Sequence, residues 1–335
     1  MAILVGIDEA GYGPHLGPLV VAAAALEFRG DDLPDPDLWP SLKAHVRKRP
    51  AGSSSRVVIC DSKQAYRSGN PAALERAVLG FLTIKGIAPR SFAGLLAAVS
   101  LDPASLTDGG GPPPFQPWDR PESLALPMAA EMAAIEEAAD HLAKGLEAIG
   151  GAAGGLWVNA ASAARLNRLM EGDLPAGRHG RNKAGALFAL TADLLLQVRK
   201  NRPHERIHIT MDRHGGRRYY AGLLAGAFPM TTVETVEETP AVSRYRLSDG
   251  TAGATVDLTV CERCETWSLP TALASMAAKY VRELYMLQFN AYFQSLVPGV
   301  RPTAGYGRDA WRFLNEVASA QASAGVPRGA ILRNR

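Results

Sequence analysis

The sequence predicts an α/β fold with a carboxylate-bearing site at the end of a buried strand, and three stretches carry that expectation. An apolar run, Ile3-Leu4-Val5-Gly6-Ile7, leads into Asp8 and Glu9, then a loop rich in Gly and Pro, then a second apolar run from Leu19 to Phe28. Arg206 to Asp212 alternates Ile207, Ile209 and Met211 with polar neighbours and also stops on an acid. From Ala274 to Met286 a helical pattern sets Ser275, Lys279 and Glu283 four apart on one face of an otherwise apolar surface.

The opening strand poses the first chemical question. Burying Asp8 or Glu9 among Ile3, Leu4, Val5 and Ile7 costs several kcal/mol unless each is paired or binds a cation. Successive strand residues point to opposite faces, so the two acids share a site only if the chain bends, which Gly11 and Gly13 permit. A hairpin with both acids facing water is the other reading of the same spacing.

The remaining elements follow in order. Gly30 to Pro40 reads as a loop, and Lys43 to Arg49 as a basic segment that is either solvated surface or a phosphate contact. Arg56 to Cys60 is a short strand ending in Asp61-Ser62-Lys63. Pro71 to Leu82 is a helix with Asn70 as its cap. Ser91 to Ser100 is apolar, and Asp102 to Pro127 is too rich in Gly and Pro for regular structure. A helix is expected from Pro127 or Met128 to Ile149, ended by Gly150-Gly151. Leu156 to Ala160 is a strand, Ala161 to Met170 a short helix, and Asn182 to Lys200 a long amphipathic helix before the strand 206–212. The loop Arg213 to Tyr220 interleaves basic and aromatic residues, which suits a nucleic-acid backbone or a plain surface loop equally. Strands are expected over Thr231–Glu238, Val242–Leu247 and Ala254–Val260. Val326 to Arg335 reads as a polar, basic and mobile tail.

Composition narrows the class. The chain has 335 residues, 47% hydrophobic and 21% charged, with net charge +3, as in a globular protein compatible with a polyanionic partner. No apolar run approaches the ~18 residues of a membrane span. The first ten residues hold two acids and no base, which argues against a secretory signal, so a cytoplasmic location is expected. Three cysteines, Cys60, Cys261 and Cys264, argue against a disulfide framework. Cys261 and Cys264 have a zinc-like spacing, but a second ligand pair is missing.

The strand and loop Gly6-Ile7-Asp8-Glu9-Ala10-Gly11-Tyr12-Gly13-Pro14, followed by Gly17-Pro18-Leu19-Val20, resembles the signature of the type 2 ribonucleases H. There it reads Gly-Ile-Asp-Glu-Ala-Gly-Arg-Gly-Pro, two residues, then Gly-Pro-Val-Val; Tyr12 replaces the family's arginine. Asp61-Ser62-Lys63 stands where the family has an Asp-Ser-Lys triplet. Ala274 to Glu283 resembles its Ala-Ser-Ile-Ile-Ala-Lys-Val-Thr-Arg-Asp, with Glu283 replacing the final acid and Asp257 as a fallback. Gly305-Tyr306-Gly307 resembles its Lys-Gly-Tyr-Gly segment, without the threonine and histidine that follow it.

The resemblance implies a ribonuclease-H-like fold, with a mixed central sheet, helices on both faces and a C-terminal helical part. It implies one domain over 1–335, with insertions at ~95–150 and ~230–270 and helices over ~271–325. It implies Asp8, Glu9, Asp212 and Glu283 as catalytic ligands of two Mg²⁺ or Mn²⁺ ions. Substrate contacts fall to Gly11, Tyr12, Gly13, Asp61, Ser62, Lys63, Ser275, Lys279 and Tyr306. The expected activity is endonucleolytic cutting of the RNA strand of RNA–DNA hybrids, or cutting at ribonucleotides embedded in DNA, by a monomer. The alternatives are a metal-dependent nuclease with another DNA or RNA substrate and a nucleic-acid-binding protein with a decayed site.

Overall fold

The structure is a computed structural model and describes residues 1–30, 34–50, 55–66, 69–101, 116–172, 182–202, 205–248 and 255–334. β1 (Ala2–Ala10) and β2 (Leu19–Phe28) pair antiparallel from Ala2↔Phe28 to Ala10↔Val20, so the two apolar runs form one hairpin. Two short parallel strands, β3 (Val46–Arg47) and β4 (Val57–Val58), lie outside the main sheet, and β4 is shorter than the strand read over 56–60. Four helices follow: α1 (Ser62–Ala65), α2 (Ala72–Ile84), α3 (Phe92–Val99) and α4 (Met132–Ala148). β5 (Gly151–Ala161) pairs antiparallel with β2. After α5 (Ala163–Glu171) and α6 (Lys183–Asn201), β6 (Arg206–Asp212) pairs parallel with β1.

Next come α7 (Ala221–Ala227), then β7 (Thr232–Glu238), β8 (Val242–Ser248) and β9 (Thr255–Cys261). They are followed by α8 (Leu269–Leu296), α9 (Gly307–Ser323) and α10 (Arg328–Ile331). The sheet order is β5-β2-β1-β6-β9-β8-β7, a mixed seven-stranded sheet with β1, β6 and β9 parallel at its centre. This is the mixed, helix-flanked α/β architecture expected. The β-rich section near 230–270 continues the central sheet, since β9 lies beside β6 and β8 and β7 extend it.

Alternation along β1 divides the core. Ile3, Val5 and Ile7 face residues of α5, α6 and α7, while Leu4 and Ala10 face α2, α3, α4 and α8. α8 crosses directly over β1 at Gly6, where a Cβ would stand 1.9 Å from the Thr271 nitrogen, so the glycine permits the close approach. A third cluster joins α8 and α9 through Phe289, Phe293 and Phe313, and it includes Ile331 of α10.

Several expectations change. α4 begins at Met132, later than 127–128, because the N–H groups of Met128, Ala129 and Ala130 are taken by the buried Glu75 carboxylate at 2.6–2.9 Å. Residues 102–115 lie outside the described residues, while α4 sits in the main core through Ile135, Leu142 and Leu146. Cys261 and Cys264 form a disulfide, against the reading from cysteine count, and Cys60 is free and buried. The tail is docked: Leu332 bridges Leu16 and Arg333 is buried, because main-chain carbonyls of the β1–β2 loop accept its guanidinium. Among the described residues no helix is long and apolar enough to cross a membrane.

Candidate active site at the end of the central strands

The parallel register that pairs Ile7 with Met211 carries Asp8 and Asp212 to the next position on neighbouring strands. Ile7 and Met211 share one core face, so alternation turns Asp8 and Asp212 together toward the α8 face. Strand β1 runs unbroken through Ala10, so the bend allowed between the two acids does not occur, yet Glu9 stays within electrostatic reach of Asp212, Lys63 and Glu265 at the strand's end. All three acids are half-buried.

Burial and mutual repulsion dominate their electrostatics. The Asp8 carboxyl is raised well above the usual range by burial, then by Glu9 and Asp212, while a hydrogen bond with Ser275 opposes the shift. Burial and Asp212 push Glu9 up to about 7, against a lowering by Lys63. Asp212 is raised by burial although it accepts main-chain N–H groups, that of Cys264 at 3.2 Å. Glu265, which the sequence reading missed, joins this group: its carboxyl is raised by burial and by Asp212 and Asp61. It follows the end of β9, and only the strand order, which local sequence does not display, brings that end beside β6.

The second motif adjoins the first. Asp61 caps α1 by accepting the Lys63 N–H at 3.0 Å. Ser62 is buried with its hydroxyl 3.0 Å from that of Ser275, so Ser62, Ser275 and Asp8 form one hydrogen-bonded line. The fallback ligand Asp257 is elsewhere: it pairs opposite His208, four residues before the end of β9, and is engaged by Arg206 and Arg246.

Glu283 has different company from the other three acids. Its carboxylate meets Lys279 at 2.6 Å and Arg282 at 3.2 Å, and it raises the Tyr66 hydroxyl pKa, to which burial contributes most. Lys279 also lies 4.8 Å from the Tyr66 ring centroid. The Lys279–Glu283 pair is thus partly buried, whereas a solvated face was one of the readings of this spacing.

Gly11 opens the loop with φ +90°, and a Cβ there would stand 2.5 Å from Arg282 Nε, so only glycine fits over that buried guanidinium. Gly13 faces Tyr306, whose ring edge would lie 3.6 Å from a Cβ at that position. Tyr306 is 48% exposed and its ring lies 5.6 Å from the Arg282 guanidinium. Tyr12 sits against Gly215, with Lys183 5.7 Å from its ring, and burial, with Glu9, raises its hydroxyl. The basic, aromatic loop after Asp212 divides: Tyr219 is exposed, whereas Tyr220 is buried and accepts the His214 N–H at 2.9 Å.

An all-oxygen carboxylate set of this kind matches hard divalent cations such as Mg²⁺ or Mn²⁺ and not the soft zinc ligand set. A cation would relieve the repulsion between the like charges that the fold gathers. Among the described residues, no three His, Cys, Asp or Glu side chains are arranged to hold an ion as they stand. A cation held here would need these half-buried carboxylates at the strand ends to rotate.

No family model matches the chain, and no curated protein matches it. Solved structures do. The chain is similar to ribonuclease HII of Archaeoglobus fulgidus in its complex with PCNA, at 14% identity and TM-score 0.41, over 99% of this chain and 94% of that one. It is similar to ribonuclease H2 of Pyrococcus horikoshii, at 11% identity and TM-score 0.42, over 98% and 92%. It is similar to Bst ribonuclease HIII in complex with Mn²⁺, at 16% identity and TM-score 0.40, over 99% of this chain and 66% of that one. Type 2 ribonuclease H, the family that the sequence motifs resemble, is also the family of these three solved structures.

Proposed function

We propose that this chain is a metal-dependent endonuclease that cuts the RNA strand of RNA–DNA hybrids or cuts at ribonucleotides embedded in DNA. The observation that carries the reading is the convergence of Asp8 and Asp212 on neighbouring strand ends, with Glu9 in electrostatic reach, beside a glycine loop that Tyr306 overlies. Two Mg²⁺ or Mn²⁺ ions, when bound, activate the attacking water and stabilise the leaving oxygen. Asp8, Glu9 and Asp212 would hold them, and Glu283 would add a fourth carboxylate if released from Lys279.

The chain's other groups bind and orient. Lys63 and Lys279 offer positive charge to the phosphates. The main chain of Gly11-Tyr12-Gly13 reads the 2′-hydroxyl, the group that separates RNA from DNA, and the exposed ring of Tyr306 packs on the sugar. Ser275 keeps Asp8 oriented through its hydrogen bond.

Incubating end-labelled hybrid, single-ribonucleotide duplex and all-DNA duplex with Mg²⁺ or Mn²⁺ tests this. Cutting of the first two that disappears in Asp8→Asn is expected; equal cutting of all-DNA points to another nuclease substrate. The pairing of Glu283 with Lys279 and Arg282 favours a second reading, a nucleic-acid-binding protein whose metal site has decayed. Under that reading, titration with Mn²⁺ finds no binding that depends on Asp8.

A further inference from the structure

The loop between β1 and β2 rests on a residue with no part in the chemistry above. Arg333 is 3% exposed, and its guanidinium donates to three main-chain carbonyls of that one loop, those of Gly11, Pro14 and Gly17. Among the described residues no carboxylate pairs with it, so carbonyl dipoles alone offset the burial of its charge. The segment that delivers it is fastened independently. The Arg333 N–H donates to the His15 carbonyl at 2.9 Å. The Asn167 amide donates to the carbonyls of Gly329 and Leu332 and accepts the Asn334 N–H.

A trans peptide sets the carbonyl of one residue opposite the N–H of the next. Pro14 and His15 follow this rule: the Pro14 carbonyl faces Arg333 at 3.4 Å, while the His15 N–H donates to the Gly305 carbonyl at 2.8 Å. Applied to Gly11, the same rule turns the Tyr12 N–H away from Arg333.

We propose that Arg333 is a positioning residue that fixes the Gly11–Tyr12 peptide with the Tyr12 N–H presented to the 2′-hydroxyl of a ribonucleotide. This rests on the ribonuclease reading and assigns the enforcement of its RNA selectivity to a residue 322 positions from the loop's first glycine. Without Arg333 the Gly11 carbonyl loses the guanidinium that holds it, and the Tyr12 N–H is no longer fixed where the 2′-hydroxyl would meet it.

The test compares wild type, Arg333→Ala and Arg333→Lys on a duplex with one ribonucleotide and on the same duplex made entirely of DNA. Cleavage is measured with Mn²⁺, and binding in an Asp212→Asn background. Arg333→Ala is expected to lower the preference for the ribonucleotide about tenfold or more, the loss falling on that duplex and not on the all-DNA one. Added guanidinium ion restores part of it. Arg333→Lys keeps the charge without the planar fork and falls between; should Arg333→Ala fail to fold, Arg333→Lys decides the matter by the same ratio. An unchanged preference, or an equal loss on both duplexes, overturns the assignment and leaves the nuclease reading intact. A wild-type protein that neither cuts nor prefers the ribonucleotide overturns both.

Discussion

Asp212 accepts the main-chain N–H of Cys264 at 3.2 Å, so the acid that ends β6 is fastened to the turn that follows β9. The disulfide to Cys261 closes that turn, in which Arg263 has φ 58°, the one positive φ among described non-glycine residues. Arg263→Gly should therefore stabilise the protein by about 1 kcal/mol, because glycine adopts the left-handed region without a Cβ clash. Urea denaturation checks this; a variant less stable than wild type counts against it.

Protonation should couple to stability with a definite sign. The Glu9 carboxyl lies at about 7 in the folded chain against 4.5 ordinarily. Between those values the native state holds more protons than the unfolded state, so stability falls as pH rises through the window. Below 4.5 this cost is absent, and above about 7 it is complete. The melting temperature of wild type minus that of Glu9→Gln, measured without metal from pH 4 to 8, should fall by about 2 °C or more. Mn²⁺ should raise the wild-type melting temperature at pH 8 and scarcely at pH 5. A difference that grows more favourable with pH contradicts the assignment.

On the proposed function, Lys279, which pairs with Glu283 at 2.6 Å, would compete with a divalent ion for that carboxylate. Lys279→Met should therefore tighten Mn²⁺ binding about threefold to tenfold, and weaken duplex binding through loss of a cation near the phosphates. Calorimetric titration with Mn²⁺ and anisotropy of a labelled duplex read the two effects separately. Weakened binding of both ligands would show that Glu283 is not freed for the ion.

Glu75 is a structural carboxylate of a different kind. It is fully buried, accepts three successive N–H groups from Met128 to Ala130, and receives the Tyr280 hydroxyl at 3.0 Å. Glu75→Ala strands four donors in the core and should cost about 3 kcal/mol or more. Thermal melting reads this directly, and loss of under ~1 kcal/mol would mean that water replaces the carboxylate.

Much of this architecture was legible because the relevant signals are local. β2 and β6 match their expected bounds, since one is apolar from Leu19 to Leu26 and at Phe28 and the other alternates strictly until its acid. Asn182 and Ser91 cap their helices with side-chain oxygens, a choice written in single residues. Tertiary partners decided the rest. α4 starts late because Glu75, more than fifty positions earlier, captures the N–H groups at its approach. Arg333 looked like part of a solvated tail because its three acceptors are main-chain carbonyls, which no side-chain pattern displays. Glu265 lay hidden because its neighbour Asp212 is near only through strand order. At the site, the motifs located Asp8, Ser62 and Ser275 within one hydrogen-bonded line, but helix spacing alone did not show that Glu283 is engaged by Lys279 and Arg282.

The β1–β2 turn has a consequence for how the chain acquires its shape. Although its strands are adjacent in sequence, the turn is pinned by Gly305 and by Arg333, so its final conformation waits for a contact 322 positions along the chain. A hairpin assembled early during synthesis would stay slack at its tip until those late residues emerge and dock. Nascent chains halted before Gly305 should accordingly show protease cleavage within 11–18 that vanishes once Gly305 and Arg333 are made and docked.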